Sequence, residues 1–212
     1  MGDKPPPTEQ GYESAYKLAC EQLKNCDIEA QCQRSGAQFK VIDSKKVITV
    51  EYLNKPYQIV LPDVAISALD SKEEVPLKDK ILILHYFTQA KGTPMTGKLI
   101  TFKELPAGAN YFPTFSKRAI RPLIERFGTE PHLLQAAARK LGGYKADYGD
   151  VAVTIDAFRR VPITIVLWRG DEEFSPEGSI LFDKSISDYL PTEDINVLCE
   201  TIAWKLVRLH TS

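Results

Sequence analysis

The stretch from Val161 to Asp183 constrains the fold more than any other, because it contains two apolar runs around an acidic connection. Between Val161 and Trp168, apolar side chains occupy nearly every position, a pattern typical of a strand that is covered on both faces of a sheet. Gly170 and Pro176 then interrupt the pattern and bend the chain. The sequence therefore predicts a hairpin at the centre of a sheet.

Helical periodicity and strand-like runs alternate along the rest of the chain. We predict helices over Glu9–Lys24, between a capping Asp27 and Gly36, from Pro76 to about Ala90, over Glu130–Leu141 and after Pro191. We predict further strands over residues 39–42, 47–52, 57–61, 99–102 and 151–155, and a loop over 106–110. The run Lys80–Phe87 is apolar almost all round, which fits a buried helix, and a strand is the alternative for so short a run.

These elements predict an α+β fold. We expect a single domain over residues 9–212, with an antiparallel or mixed sheet covered by helices and an amphipathic C-terminal helix. The proline-rich residues 1–8 are predicted to be a disordered lead.

Charge and hydropathy exclude several classes of protein. The net charge is −1, so the chain lacks the excess of positive charge that binding to nucleic acid requires. The longest apolar runs are far shorter than the ~20 residues that cross a bilayer, and the N-terminus has no apolar core of a secretory signal. We therefore expect a cytoplasmic protein with no membrane and no nucleic-acid partner.

Three of the four cysteines recur every six residues, at Cys20, Cys26 and Cys32, with Cys199 apart from them. Six residues turn a helix by about 600°, so neighbouring thiols would point some 240° apart unless the chain bends between them. Zinc and iron–sulfur sites favour pairs of cysteines separated by two residues. We therefore predict reduced thiols on amphipathic helices and no metal site.

The connection inside the predicted hairpin carries three consecutive carboxylates, Asp171, Glu172 and Glu173. Such a cluster has the chemistry to bind a hard cation or to act as acid and base. Trp168 and Phe174 flank it, and they would keep one side of a cleft dry. The alternative is a solvated turn. Asp183 and Asp188 are further candidates for the same cluster.

Two other segments contain candidate ligand-binding residues. His85 lies in the most apolar run, beside Tyr86, where it would act as an axial ligand or as a buried core histidine. Tyr111, Arg118 and Arg121 would grip carboxylates of a ligand, because guanidinium groups match carboxylate geometry. The alternative for these residues is a basic helix start on the surface.

Residues 92–99 match the phosphate-loop pattern except at Leu99, where the magnesium-binding hydroxyl is missing. The following residues predict a strand, whereas a phosphate loop opens a helix. We therefore interpret this segment as a turn. The sequence contains no nucleophile elbow, His-Glu-x-x-His motif or dinucleotide fingerprint, so nucleophilic catalysis has no positive evidence.

Several longer strings carry a family resemblance. They are Ile-Leu-Ile-Leu-His-Tyr-Phe (81–87), Gly-Lys-Leu-Ile-Thr-Phe-Lys-Glu-Leu-Pro-Ala-Gly (97–108), Leu-Trp-Arg-Gly-Asp-Glu-Glu-Phe (167–174) and Tyr-Leu-Pro-Thr-Glu-Asp (189–194). Through these strings nearly the whole chain resembles the domain of unknown function family numbered 3786. The resemblance implies a setting in anaerobic bacteria and archaea, where members occur alone or behind a four-cysteine iron–sulfur domain like that of corrinoid proteins. This chain lacks such a domain, and the resemblance assigns no catalytic residues.

Three hypotheses for function follow. The first is a binding or accessory protein for a corrinoid or another tetrapyrrole, held by His85, Tyr86 and the aromatic, arginine and acidic side chains named above. The second is an enzyme, such as a hydrolase, that uses the 171–173 carboxylates with or without a metal. The third is an interaction module whose acidic loop binds a basic partner, such as an iron–sulfur, corrinoid or other redox protein.

Overall fold

The structure is a computed structural model that describes residues 9–211, so the lead predicted over residues 1–8 lies outside the described residues. The helices are α1 (Glu9–Lys24), α2 (Ile28–Ser35), α3 (Leu77–Gln89), α4 (Gly108–Phe115), α5 (Arg121–Phe127), α6 (His132–Lys140) and α7 (Thr192–Thr211). The strands are β1 (Gln38–Ile42), β2 (Lys45–Tyr52), β3 (Lys55–Leu61), β4 (Ala65–Ala68), β5 (Leu99–Thr101), β6 (Tyr144–Ala146), β7 (Val151–Phe158), β8 (Val161–Trp168) and β9 (Glu177–Asp183).

The predicted α+β class, the antiparallel strand pairing and the C-terminal helix are confirmed. The chain divides into two compact units. The first runs up to Pro94 and includes Phe158–Arg160 and Asp188–Leu190, and the second contains Met95–Ala157, Val161–Ser187 and the chain from Pro191 onward. The extent of the single domain, 9–212, stays a prediction.

The first unit contains an antiparallel meander of β1 to β4. Alternate residues of β2, Ile48, Val50 and Tyr52, point into the core and are at most 1% exposed. The intervening set includes Thr49, which pairs with Gln38 on β1 and with Gln58 on β3, so these three residues form a row across one face. The predicted strands are confirmed, whereas β4 was missed because its Ala and Ser residues carry no strand signal.

Helices of the first unit follow the sequence signals closely. Asp27 caps α2, since its carboxylate accepts a hydrogen bond from the N–H of Ala30 at 3.1 Å, and Gly36 ends the helix in the left-handed region at φ 76°. The run that was ambiguous between helix and strand is α3. Tyr86 on this helix stacks on Phe158 with ring centroids 4.1 Å apart.

The second unit contains a sheet in the order β6-β7-β8-β9-β5, and β8 and β9 form the predicted hairpin. Ile163 lies opposite Phe182 and Trp168 lies opposite Glu177, so the two strands stay in register between these two pairs. Ile165, Val166 and Leu167 are all at most 1% exposed, which confirms that β8 is covered on both faces. Strand β6 was not predicted from the sequence.

Two local predictions in this unit are wrong. The predicted loop over 106–110 ends early, because α4 begins at Gly108 after Ala107 adopts a left-handed conformation at φ 57°. A Cβ at position 108 would lie 1.9 Å from the carbonyl oxygen of Phe102, so the close approach requires glycine. Helix α6 begins at His132, whereas Glu130 was predicted to begin it.

The start of α7 is where the sequence placed it, at Thr192, with acidic residues in the first turn. The hydroxyl of Thr192, predicted to cap this helix, donates a hydrogen bond to the carbonyl oxygen of Pro106 at 2.8 Å. This bond ties the start of α7 to the segment that precedes α4.

Candidate functional site

The acidic connection between β8 and β9 has a fixed local structure. The carboxylate of Asp171 accepts hydrogen bonds from the N–H groups of Phe174, at 2.8 Å, and Glu173, at 2.9 Å. The N–H of Asp171 in turn donates to the carbonyl oxygen of Phe174 at 2.9 Å. These bonds stabilise the ionised carboxylate, so the N–H groups of Phe174 and Glu173 lower the pKa of Asp171. Asp171 therefore shapes the loop from within.

The loop directs its other large side chains toward solvent. Glu172 and Glu173 are exposed, and the Phe174 side chain is 69% exposed. Residues 170–176 and Thr129 line a hollow of about 470 Å³ beside this ring. Asp171, Glu172, Glu173 and Phe174 therefore line one hollow, and Trp168 is not among its lining residues.

A second connection braces the end of β8 next to this loop. The carboxylate of Asp150 accepts a hydrogen bond from the N–H of Arg169 at 2.8 Å, and the Asp150 N–H donates to the carbonyl oxygen of Leu167 at 3.1 Å. A Cβ at Gly149 would lie 3.2 Å from Cε2 of Trp168, whose side chain is 41% exposed. Sequence reasoning missed Gly149 and Asp150, although the Gly-Asp pair is a turn signal.

The predicted carboxylate-gripping residues lie elsewhere in the second unit. The Nε of Arg121 lies 2.6 Å from a carboxylate oxygen of Glu125, and a guanidinium nitrogen of Arg118 lies 3.9 Å from Glu200. Tyr111 is 44% exposed on α4. The hollow at the acidic loop is lined by Thr129 and residues 170–176, so the structure does not bring these three residues into it.

His85 and Tyr86 belong to the first unit. The Tyr86 side chain is 1% exposed, and its hydroxyl donates to the carbonyl oxygen of Ser35 at 2.6 Å. Burial raises the pKa of the Tyr86 hydroxyl above its usual range. Its position counts against a contact with a cofactor, because the ring is already enclosed by core residues. His85 is half-buried on the same helix.

The residues assigned to a tetrapyrrole do not fit such a ligand as a set. Tyr86 is enclosed, Arg121 is engaged by Glu125, and the acidic hollow is built from its own loop and Thr129. A cofactor of this kind requires a large, mostly apolar cleft with converging polar groups. The predicted set is therefore not gathered in one such cleft among the described residues.

Asp183, a candidate cation ligand in the sequence, holds a turn in place. Its carboxylate accepts hydrogen bonds from the N–H groups of Thr96, at 3.0 Å, Gly97, at 2.7 Å, and Ser185, at 2.9 Å. Burial alone would raise its pKa, but these backbone bonds and the hydroxyl of Ser185 lower the pKa of Asp183 to about 2. The amides that a phosphate would need are thus bound to Asp183, and β5 follows, so the turn interpretation of residues 92–99 is confirmed.

Asp188, the second of these candidates, is likewise engaged within the first unit. Its carboxylate lies 2.8 Å from Nζ of Lys91 and accepts a hydrogen bond from the hydroxyl of Thr93 at 2.9 Å. These two side chains lower the pKa of Asp188. Both aspartates therefore hold adjoining parts of the turn that precedes β5.

No group of three His, Cys, Asp or Glu side chains within residues 9–211 is arranged to hold a metal ion. All four cysteines are free thiols, with Cys32 and Cys199 buried and Cys20 and Cys26 partly exposed. Across the same residues, no helix combines the length and the apolar composition that a membrane span requires.

These features define an α+β protein with an antiparallel sheet and an ordered acidic–aromatic loop on its surface. The family model described as "Domain of unknown function (DUF3786)" matches residues 27–204, and the chain belongs to this family. Neither the curated proteins nor the solved structures contain a significant match to the chain.

Proposed function

We propose that this chain is a binding or accessory protein that uses the loop 170–176 to dock a basic surface of a partner protein. The observation that carries the proposal is the 69% exposure of Phe174 on a loop whose backbone is fixed by Asp171. A large apolar ring held in water is unfavourable in the free protein, and binding to a partner would remove that cost.

The surroundings of Phe174 suit protein recognition. Aromatic side chains that anchor interfaces are surrounded by polar groups, and Glu172 and Glu173 supply two exposed carboxylates beside the ring. Because the Asp171 hydrogen bonds order the loop before binding, less conformational entropy is lost when a partner docks. The adjacent hollow has space for a lysine or arginine side chain of the partner.

The carboxylates define the chemistry of the partner. Opposite charges across an interface accelerate association and select among partners, and their effect weakens as salt is added. The partner is therefore a protein with lysine or arginine side chains on its docking face. The family resemblance favours an iron–sulfur or corrinoid protein of anaerobic metabolism for this role.

A crosslinking experiment tests the docking loop directly. Benzoylphenylalanine placed at position 174 of the full chain is expected to crosslink, in extract of the native host, to a protein whose attachment site is lysine- or arginine-rich. Position 204 is the matched control, because Trp204 is 46% exposed on α7 and lies outside the loop. Crosslinks at both positions to the same proteins, or attachment at acidic or apolar surfaces, would contradict the proposal.

Charge variants then quantify the interaction with the purified crosslinked protein. The double variant Glu172→Gln/Glu173→Gln should weaken binding about tenfold near 0.1 M salt, and the difference should shrink near 1 M salt. The control Glu73→Gln/Glu74→Gln removes two adjacent carboxylates from another exposed loop and should leave the affinity unchanged. Equal weakening by both double variants would rule out a specific role for the acidic loop.

A corrinoid or other tetrapyrrole ligand is the second candidate, and the exposed faces of Trp168 and Phe174 are the observation that favours it. Titration with cobalamin should then produce an absorption change that Phe174→Ser reduces. An unchanged spectrum would remove this candidate without affecting the docking proposal.

An enzyme that uses the 171–173 carboxylates is less well supported. A general acid at neutral pH needs a raised pKa, whereas that of Asp171 is lowered.

A further inference from the structure

The outer face of the β1–β3 meander contains a second hollow, of about 330 Å³, that is separate from the acidic loop. It lies entirely within the first unit, on the face opposite Ile48 and Tyr52. Its size is at the lower end of the range for small-molecule sites, which run from roughly 300 to 1,000 Å³.

A row of neutral polar side chains crosses this hollow. Gln38 lies opposite Thr49 on β2, and Thr49 lies opposite Gln58 on β3, so an amide, a hydroxyl and an amide stand side by side on three adjacent strands. Within the described part of the chain, no hydrogen bond engages these three side chains. They are therefore available to donate to and accept from a ligand.

Three charged side chains line the same hollow: Lys40, Glu51 and Arg159. Two cations and one carboxylate leave an excess of one positive charge, and none of the three takes part in an ion pair among residues 9–211. This balance favours a ligand with a single negative charge.

The position of Arg159 depends on a glycine. A Cβ at Gly36 would lie 2.7 Å from Cδ and 3.3 Å from Nε of Arg159, so the arginine stem passes over the bare backbone of Gly36. Gly36 itself has φ 76°. The same residue therefore ends α2 and makes space for the guanidinium group at the edge of the hollow.

Aliphatic side chains form the remaining walls. Val47 is 7% exposed, whereas Ile42 and Leu69 are 48% and 50% exposed and leave apolar surface at the margin of the hollow. A ligand with an aliphatic body would cover this surface and gain free energy from its removal from water.

We infer that this hollow binds a small organic carboxylate with a short aliphatic body. The guanidinium group of Arg159 matches a carboxylate with two parallel hydrogen bonds, and Lys40 adds a second positive charge. The row of Gln38, Thr49 and Gln58 orients polar atoms of the ligand. This site does not depend on the acidic loop or on its partner.

Hexanoate and its neutral analogue hexanamide test the inference by NMR titration of the ¹⁵N-labelled full chain. Hexanoate is expected to shift amide signals of β1, β2 and β3, and to bind at least tenfold more tightly than hexanamide. Absence of shifts in these strands at millimolar hexanoate, or equal binding of the two compounds, would overturn the inference.

Arg159→Gln should weaken hexanoate binding about tenfold and abolish the preference over hexanamide, because the charge-assisted hydrogen bonds are lost. Arg139→Gln is the matched control, since Arg139 is exposed on α6 and its loss changes the net charge equally. Hexanoate binding that Arg159→Gln leaves unchanged, or that both variants weaken equally, would also overturn the inference. Phe174→Ser, which removes the docking ring, is expected to leave hexanoate binding unchanged.

Discussion

Asp183 shows how much one side chain determines about the turn before β5. It is 4% exposed, and its carboxylate binds the N–H groups of Thr96, Gly97 and Ser185 as well as two hydroxyl groups. The sequence presented it as one of several carboxylates in a cluster. Asp183 lies far from Thr96 in sequence, so the sequence did not indicate that its carboxylate binds the backbone of this turn.

We expect Asp183→Asn to lower the free energy of unfolding by about 2–3 kcal/mol, because a neutral amide replaces a charged acceptor. The side-chain N–H groups of the asparagine would also face backbone N–H groups, and two donors cannot form a hydrogen bond with each other. Urea unfolding near pH 7 measures the change. Asp147→Asn is the control, because Asp147 forms an exposed pair with Lys145 and the variant should change stability little. Similar losses in the two variants would contradict the proposed role.

The same carboxylate predicts a pH dependence. Its pKa is lowered from 3.8 to about 2 in the folded protein, so the unfolded chain takes up the proton first as the pH falls. The Asp183 contribution is therefore complete above pH 4 and is lost between about pH 4 and pH 2, a change of about 2 kcal/mol. The difference in unfolding free energy between wild type and Asp183→Asn should shrink over this range, and a constant difference would contradict the assignment.

At the scale of elements, β7 and β8 share a buried polar contact. The hydroxyl oxygens of Thr154 and Thr164 lie 2.8 Å apart, and the two residues are 7% and 5% exposed. Neither hydroxyl reaches water easily, so each depends on the other for its hydrogen bond. The near-continuous apolar run of β8 predicted a strand covered on both faces, but only pairing of the strands brings Thr154 and Thr164 together.

A double-mutant cycle tests this contact. Thr154→Val and Thr164→Val should each cost about 1–2 kcal/mol, because each leaves a buried hydroxyl unpaired, whereas the double variant should cost less than the sum. Chemical denaturation of the four proteins gives the coupling energy. Strictly additive losses would show that the two hydroxyl groups are satisfied independently.

The acidic loop was predicted at this scale because its signals are local. Two strong strand patterns enclose Gly170, Pro176 and three consecutive carboxylates. These signals are local in sequence, so none of them depends on a contact with a distant residue. Asp150 and Thr129 contribute from other connections, and the sequence predicted no role at this loop for either residue. The prediction of a loop over 106–110 was wrong because Gly108 lies close to Phe102, which belongs to a separate turn. The local sequence does not indicate such a contact.

At the scale of the whole molecule, each unit has its own buried cysteine. Cys32 in the first unit is 7% exposed, and burial together with the charge of Glu29 raises the pKa of its thiol to about 11. Cys199 in the second unit is 1% exposed, and burial raises its pKa far above the usual range. Reaction of either thiol requires both exposure and ionisation.

A thiol reagent should therefore modify Cys20 and Cys26 in the native protein and reach Cys32 and Cys199 only as the chain unfolds. Mass spectrometry of samples labelled over time, with and without denaturant, measures the four rates. Cys199→Ala is the control that assigns the slowest labelling. Modification of Cys199 at the same rate as Cys26 under native conditions would contradict the described burial.

The sequence by itself determined the α+β class, the bounds of α1, the helix at α3 as one of two alternatives and the β8–β9 hairpin. These features depend on periodicity and on capping or turn residues within a few positions. The tertiary structure decided which polar side chains act together. Asp183 with Thr96, Thr154 with Thr164, and Arg159 over Gly36 are neighbours only after strands and turns have paired, because contacts between residues far apart in sequence leave no local pattern.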